Sequence, residues 1–437
     1  MLREQIVLHA SRQFVQGDVQ HWWHAPTGVG VRTHFSDDRL WLVLACTRYL
    51  QATGDVGLLD AQVPFLEGNA IPEGAEDIYE HPNVSTDAES VYEHAARAID
   101  RSMALGSHNL PLMGSGDWND GMNRVGIEGR GESVWLGWFL CRLIADFAPL
   151  AQARNDTQRA ARWLQTAQTI QTALVTTAWD GAWFKRAYFD DGQPLGSHDN
   201  TQGRIDLIAQ AWAALSGVAP PELAQQALAA ADAHLVDPDA GLIKLLDPPL
   251  SDAVPSAGYI QAYPPGVREN GGQYNHAGIW ALMAQAQANA DGDAAYRYFT
   301  YLSPAHRASH ATRGPVYGLE PYVMAADVYS QPPYVGRGGW SWYTGAAAWM
   351  HRAAIESMFG LTQEAHTLVL RPHLPSHWPQ AELTLVRGAR SMRFILMRAT
   401  PEAALQATSQ WAATPLLPGQ VLNWTNLPAS SCFVVAL

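Results

Sequence analysis

Two carboxylates three positions apart, Asp117 and Asp120, bracket Trp118 and Asn119 in a stretch with glycines at 114, 116, 121, 126 and 129. Glycine lets backbone approach a ligand closely. An indole face suits the apolar face of a sugar ring, and a partly buried Asp can keep its proton and act as a general acid. The bland alternative is a turn or calcium loop whose carboxylates only cap backbone N–H groups, although EF-hand spacing is absent. A second group gathers Arg268, Glu269, Asn270 and His276 around Gly271 and Gly272, at an expected helix start that would receive an anion. There His276 either adds a hydrogen bond or charge, or is a buried, satisfied histidine. A third stretch, GRGGWSWYTGAAAW (336–349), offers the Thr344 hydroxyl and Gly345 N–H to an oxyanion, or small residues for close helix packing. The fourth, residues 21–41, clusters Trp22, Trp23, His24, Arg32, Asp37 and Asp38. Its His21-x2-His24 spacing lacks the Cys pair or HExxH that a zinc site needs, so no metal is expected.

These groups must be held by helices and long loops. Apolar periodicity predicts helices over 38–52, 86–104, 132–148, 156–178, 204–216, 221–234, 272–289, 294–302, 321–329 and 341–359. The 86–104 helix is expected to open on the capping cluster STDAES. Long loops over 55–85, 106–131, 184–203, 246–271 and 303–319 carry most of the Trp, His, Arg and Gly clusters, and loops of such length are usually functional. Recurring helical hairpins suit a closed toroid with its site at one end. After Leu361 the character changes to strands at Thr367, Glu382, Met392 and Cys432 separated by Pro and Gly turns, predicting a small β domain.

Composition narrows the function. The chain has 437 residues, 28 Lys+Arg against 41 Asp+Glu and a net charge of −13. That balance argues against nucleic acid and against an anionic membrane surface. Three widely spaced cysteines exclude a disulfide framework and a CxxC metal site, and point to a reducing compartment. The start lacks a signal-peptide core, and the apolar run 134–141 is short of a membrane span. Seventeen tryptophans and a charged fraction of only 16% fit a neutral sugar cleft, with Trp22, Trp23, Trp118, Trp340 and Trp342 inside the motifs.

The wording of the motifs is specific. HWWHAPTGVGVRTHFSDDRLWL, GSGDWNDGMN, GRGESVWLGWFL, YPPGVRENGGQYNHAGIW, EPYV and GGWSWYTGAAAWM resemble, in order, the catalytic module of glycoside hydrolase family 94. The version is similar to that of bacterial cyclic β-1,2-glucan synthases and β-1,2-oligoglucan phosphorylases. The resemblance implies a mainly α fold, an (α/α)6 barrel over 1–361 lacking its first helix, followed by a β domain over 362–437. It implies inverting phosphorolysis of β-glucosidic bonds, with α-glucose 1-phosphate as product and inorganic phosphate as co-substrate without a cofactor.

Asp120, the second Asp of the DWND motif, would be the general acid, and Trp118 would lie beside the cleaved sugar. His276, Thr344 and Gly345 would hold phosphate with an Arg after the DWND loop, for which Arg130 is the candidate and Arg142 the reserve. Arg32 and Asp38 would grip the nonreducing-end glucose, with Asp117 and Glu269 as further sugar-binding groups. Partners implied are a β-glucan oligosaccharide and phosphate, a second copy in a homodimer, or a larger membrane-anchored synthase with this module in the cytoplasm. Two other readings stay open: an inverting hydrolase with Asp117 or Glu269 as base, and a non-catalytic glucan-binding or length-gauging module.

Overall fold

The computed structural model describes residues 1–437, with only the backbone of Pro401 included. Thirteen α-helices are present among the described residues, in chain order α1 (Leu2–Ala10), α2 (Leu40–Thr53), α3 (Val91–Arg101), α4 (Val134–Ala153), α5 (Thr157–Thr176), α6 (Leu207–Ser216), α7 (Pro221–Leu235), α8 (Asn275–Asn289), α9 (Gly292–Leu302), α10 (Pro304–Ser309), α11 (Arg313–Tyr317), α12 (Thr344–Arg352) and α13 (Pro401–Gln410). Helices α2, α4, α6, α8 and α12 pack in succession, and α3, α5, α7 and α9 lie against α2, α4, α6 and α8 respectively. The Arg48–Glu356 ion pair (3.4 Å) links α2 to the turn that continues α12.

Composition explains which helices lie inside. Helices α4, α6 and α8 are apolar nearly all round, and their buried residues include Trp135, Trp138, Phe139, Trp212 and Trp280. A helix of that kind needs neighbours on every side. Helix α4 is long and apolar enough to cross a membrane, which the short apolar run in the sequence did not suggest, but 72% of its most apolar stretch is buried inside the protein.

Each successive inner helix contributes one tryptophan to a common layer. The ring centroids of Trp41 and Trp135 lie 6.5 Å apart, Trp135 and Trp212 6.1 Å, Trp212 and Trp280 5.3 Å, and Trp280 and Trp349 5.6 Å. Trp41 and Trp280 close the group at 6.4 Å. All five sit in the first two turns of their helices. The five N-termini therefore open at the same end, above a tryptophan floor.

Short antiparallel pairs pin those N-termini. Glu132–Ser133 pairs with Ala187–Tyr188, Ile205–Asp206 with Leu246–Asp247, and Gln273–Tyr274 with Asp327–Val328, each just before α4, α6 or α8. After Leu361 the strands Leu361–Glu364, Thr367–Leu370 and Val421–Asn423 form one sheet. Gln380–Arg387, Arg390–Met397, Ser430–Ala436 and Thr414–Leu416 form a second, and the two share a core that includes Leu368, Phe394 and Phe433.

Three expectations are corrected. Residues 321–329 are turns ending in the strand Asp327–Val328, because Val323 to Ala326 are buried one after another rather than on one helical face. Residues 86–90 belong to the strand Asn83–Ser90, paired with Gln62–Glu67, and the helix begins at Val91 with Ser90 accepting from the Glu93 N–H. Helices α1, α10, α11 and α13 were not expected, and α10 and α11 lie in the stretch 303–319 read as a long loop. Trp280 touches four other tryptophans of the floor, so Trp280→Ala is expected to lower the unfolding free energy by about 3–5 kcal/mol. Urea titration followed by circular dichroism checks this.

Candidate active site

The loop 114–123 rises from the floor between α4 and α8. Its glycines are required by its path. Gly114 has a φ of +65°, and a Cβ there would lie 2.1 Å from the His34 carbonyl oxygen. Trp118 packs over Trp280 (5.2 Å), Tyr274 (5.5 Å) and His276 (5.4 Å), which brings the loop against the start of α8.

The two carboxylates of this loop have opposite fates. Asp117 is fully buried. Arg186 donates to both its oxygens (2.6 and 2.7 Å), the Ser133 hydroxyl donates to Oδ2 (2.6 Å), and the Asn119 N–H to Oδ1 (3.1 Å). Ser133 also caps α4, and the Arg186 guanidinium lies 3.5 Å from Asp206, which caps α6. This ion cluster locks the loop to two inner helices, and the reading of Asp117 as a sugar-binding group is corrected. Burial, then the neighbouring Asp117 charge, hold Asp206 up at about 6 against the opposing pull of Arg186.

Asp120 faces the opposite way, with 47% of its side chain exposed at the bottom of the cleft. The protein around it strips away hydration, and with the charges of Asp38, Glu269 and Asp117 this raises its pKa to about 6, despite the opposing charge of His21. A carboxyl so placed keeps its proton well above the usual range and is open to a ligand. Asp38 remains in the same cleft, accepting from His21 Nδ1 (2.9 Å). Asp37, beside it, is buried, accepts from Trp41 Nε1 (2.9 Å) and is held well above its ordinary pKa by burial and by Asp38.

The opposite wall consists of two helix starts. Tyr274 precedes α8 and Tyr343 precedes α12, and their hydroxyls meet at 2.7 Å. Neither helix start has a side-chain cap; the Asn275 N–H donates to the Ala326 carbonyl (2.9 Å), and the later N–H groups of the first turn have no partner within the helix. His276 is the second residue of α8; Thr344 and Gly345 open α12, and a Cβ on Gly345 would meet no atom within 4 Å. His276 Nε2 has no hydrogen-bond partner among the described residues, so it is not a satisfied core histidine. Burial lowers its pKa to about 3, which makes it a neutral donor.

Two arginines are not brought to this wall. Arg130 donates to the Asp190 carbonyl (3.0 Å) and pairs with Glu128 (2.5 Å), with no polar contact to His276 or Thr344, which corrects its assignment to phosphate. Arg142 pairs with Asp146 within α4 (2.8 Å). Arg32 is buried, paired with Asp18 (2.6 Å) and stacked on Phe14 (3.9 Å), so its reading as a sugar grip is also corrected. Arg268 is the cation that does reach the cleft. It pairs with Glu269 (3.2 Å) and is sandwiched between Tyr263 (4.8 Å) and Trp340 (4.7 Å). It stood in the second motif, but nothing in its spacing assigned it a role. Trp340 and Trp342 are about two-thirds exposed at the rim, and Trp342 has a left-handed φ of +62°, a strained state for a bulky residue.

Comparison with known proteins agrees with this geometry. Residues 1–360 match the model of the glycosyl hydrolase 94 superfamily catalytic domain, and the chain belongs to that family. It is 47% identical over 380 residues to the cyclic beta-(1,2)-glucan synthase NdvB of Rhizobium meliloti (strain 1021), covering 87% of this chain and 13% of the synthase. It is 34% identical over 358 residues to a solabiose phosphorylase of Paenibacillus borealis, covering 80% of this chain and 43% of that enzyme. A 3-O-beta-D-glucopyranosyl-beta-D-glucuronide phosphorylase of the same organism is 30% identical over 399 residues, or 90% of this chain and 48% of the relative. The chain thus spans less than half the length of each of these relatives.

The Arg186 cluster makes a direct prediction. Arg186→Met should destabilise the protein by about 3–5 kcal/mol, because it leaves Asp117 buried and unpaired. Adding Asp117→Asn should recover part of that loss, as read by equilibrium unfolding in urea.

Proposed function

We propose that this chain carries the catalytic site of an inverting glycoside phosphorylase acting on β-glucosidic bonds, with β-1,2-linked glucooligosaccharides as the substrate class. The observation that carries the reading is the meeting of two uncapped helix starts at the Tyr274–Tyr343 contact, beside the unpartnered His276 Nε2. Such a wall supports an anion through N–H groups and aligned dipoles. Across the same cleft stands Asp120, whose pKa, raised to about 6, lets it hold a proton far above the usual carboxylate range. In the reaction Asp120 gives its proton to the bridging oxygen as the bond from C1 to that oxygen breaks. A phosphate oxygen bonds to C1 from the other face, giving α-glucose 1-phosphate.

The hydrolase alternative needs a second carboxylate ~6.5–9.5 Å away to activate water. Of the two residues named for that task, Asp117 is committed to Arg186, and Glu269 is paired with Arg268, which suits it to hold a ligand hydroxyl rather than to take a proton from water. Phosphate, already anionic, needs no base. The phosphorylase relatives support the same choice, and the synthase relative suggests β-1,2 linkage. Trp118 is assigned to the sugar that leaves as the phosphate ester, Asp38 and Glu269 to its hydroxyls, and Arg268 to the phosphate in place of Arg130. The helices over 1–361 are assigned to an (α/α)6-type barrel and residues 362–437 to the closing β domain. A reaction that consumes inorganic phosphate suits the cytoplasm, either in a free enzyme or in the cytoplasmic part of a larger synthase.

Incubation with β-1,2-glucooligosaccharides should yield glucose 1-phosphate only when phosphate is present; phosphate-independent release of reducing sugar would favour hydrolysis. Asp120→Asn should lower kcat by about 10²–10⁴-fold. His276→Ala should raise the KM for phosphate by about 10- to 100-fold with a smaller change in the sugar KM, as expected for losing one hydrogen bond to a charged ligand. Because the acid must be protonated, kcat/KM should fall as pH rises through about 6, the value set by the Asp120 environment.

A further inference from the structure

His21 has no part in the scheme above, yet among the described residues it is the one side chain in polar contact with both Asp38 and Asp120. It lies in the strand Gln20–Trp23, whose pairing with Gly30–Thr33 slips between Gln20 and Trp22. A bulge at that point re-aims the intervening side chain. The ring stands edge-on to Phe35, with centroids 4.8 Å apart. Nδ1 is 2.9 and 3.1 Å from the two Asp38 oxygens, and Nε2 is 3.7 Å from Asp120 Oδ2. The second distance is that of an ion pair rather than a full hydrogen bond.

We propose that His21 is a positioning residue: anchored on Asp38 through Nδ1, it presents Nε2 to Asp120 and compensates the carboxylate left there when the proton departs. This rests on Asp120 being the acid of the proposed phosphorolysis. His21 touches neither sugar nor phosphate in that scheme. The charges around the pair are nearly all acidic. Asp37 and Asp38 face it from the turn before α2, Asp117 from the acid's own loop, and Glu269 with its partner Arg268, beside the neutral phenols of Tyr259 and Tyr263, from the opposite loops. Burial opposes a charge on the imidazole, but Asp38 and then Asp120 outweigh it and hold its pKa up at about 9. A cation at that point lowers the pKa of Asp120, against the upward push of the acidic groups. Asp120 is thereby kept able to release its proton in phosphorolysis and to regain it in the reverse direction.

Two measurements test this. In His21→Gln the basic limb of the kcat/KM profile should move up by about one pH unit, with kcat down about tenfold and both KM values within about twofold. A merely structural role would lower activity without moving the limb. Independently of turnover, NMR titration of the imidazole in the unsubstituted chain should show His21 charged beyond pH 8, and in Asp120→Asn its titration should shift to lower pH. An unmoved limb in an active His21→Gln variant, or a His21 titration indifferent to Asp120→Asn, overturns the proposal. Absence of glucose 1-phosphate from the unsubstituted chain would instead remove the phosphorylase reading, and the NMR arm would still decide whether His21 and Asp120 are coupled.

Discussion

A guanidinium with no access to water constrains everything above it. Arg186 is fully buried, and so are Asp117 and, nearly, Asp206. Burial pulls the pKa of the guanidinium down, but Asp117 and Asp206 outweigh it and keep the charge in place. Such clusters contribute little net stability compared with an apolar substitute, but breaking one partner is costly. Here the cluster joins the Asp117–Asp120 loop, the cap of α4 and the cap of α6 at one point. The loop cannot drift without uncovering a charge. Asp120, three residues along, inherits a fixed place that its own contacts would not give it.

The tryptophan layer supplies the second constraint. Trp280 touches Trp41, Trp135, Trp212 and Trp349 from below and Trp118 from above. Large flat rings leave few rotamers free and pack without gaps. The abundance of tryptophan in the chain therefore has two sources. Of the motif tryptophans, Trp118 packs over the floor and Trp340 and Trp342 are about two-thirds exposed. Trp41, Trp135, Trp212, Trp280 and Trp349 are the ground beneath it, and their role became visible only when the five helices were brought together.

Much of this was legible in the sequence, and the failures have physical causes. Helices α4, α6 and α8 carry apolar runs too long for strands. The final sheets were legible from alternation and turns. Residues 321–329 failed because four successive buried residues look alike in a helix and in a buried strand. The STDAES cluster was assigned to a helix start, but the cap is Ser90 alone, and the residues before it pair as a strand. In the site, Asp117 and Asp120 are the same residue type three positions apart. What separates them is Arg186, 69 positions from Asp117, and no local pattern could report it. Arg130 and Arg32 were assigned from the family resemblance, whereas their partners Glu128, Asp190 and Asp18 decide where they point.

The indole layer has an optical consequence. The ring centres lie 5 to 7 Å apart, well inside the range over which indoles transfer excitation, so the five members of the floor are optically coupled. His276 stands against two of its members, Trp280 at 4.5 Å and Trp349 at 5.8 Å. The protein thus carries a coupled indole layer in direct contact with the histidine of its site wall.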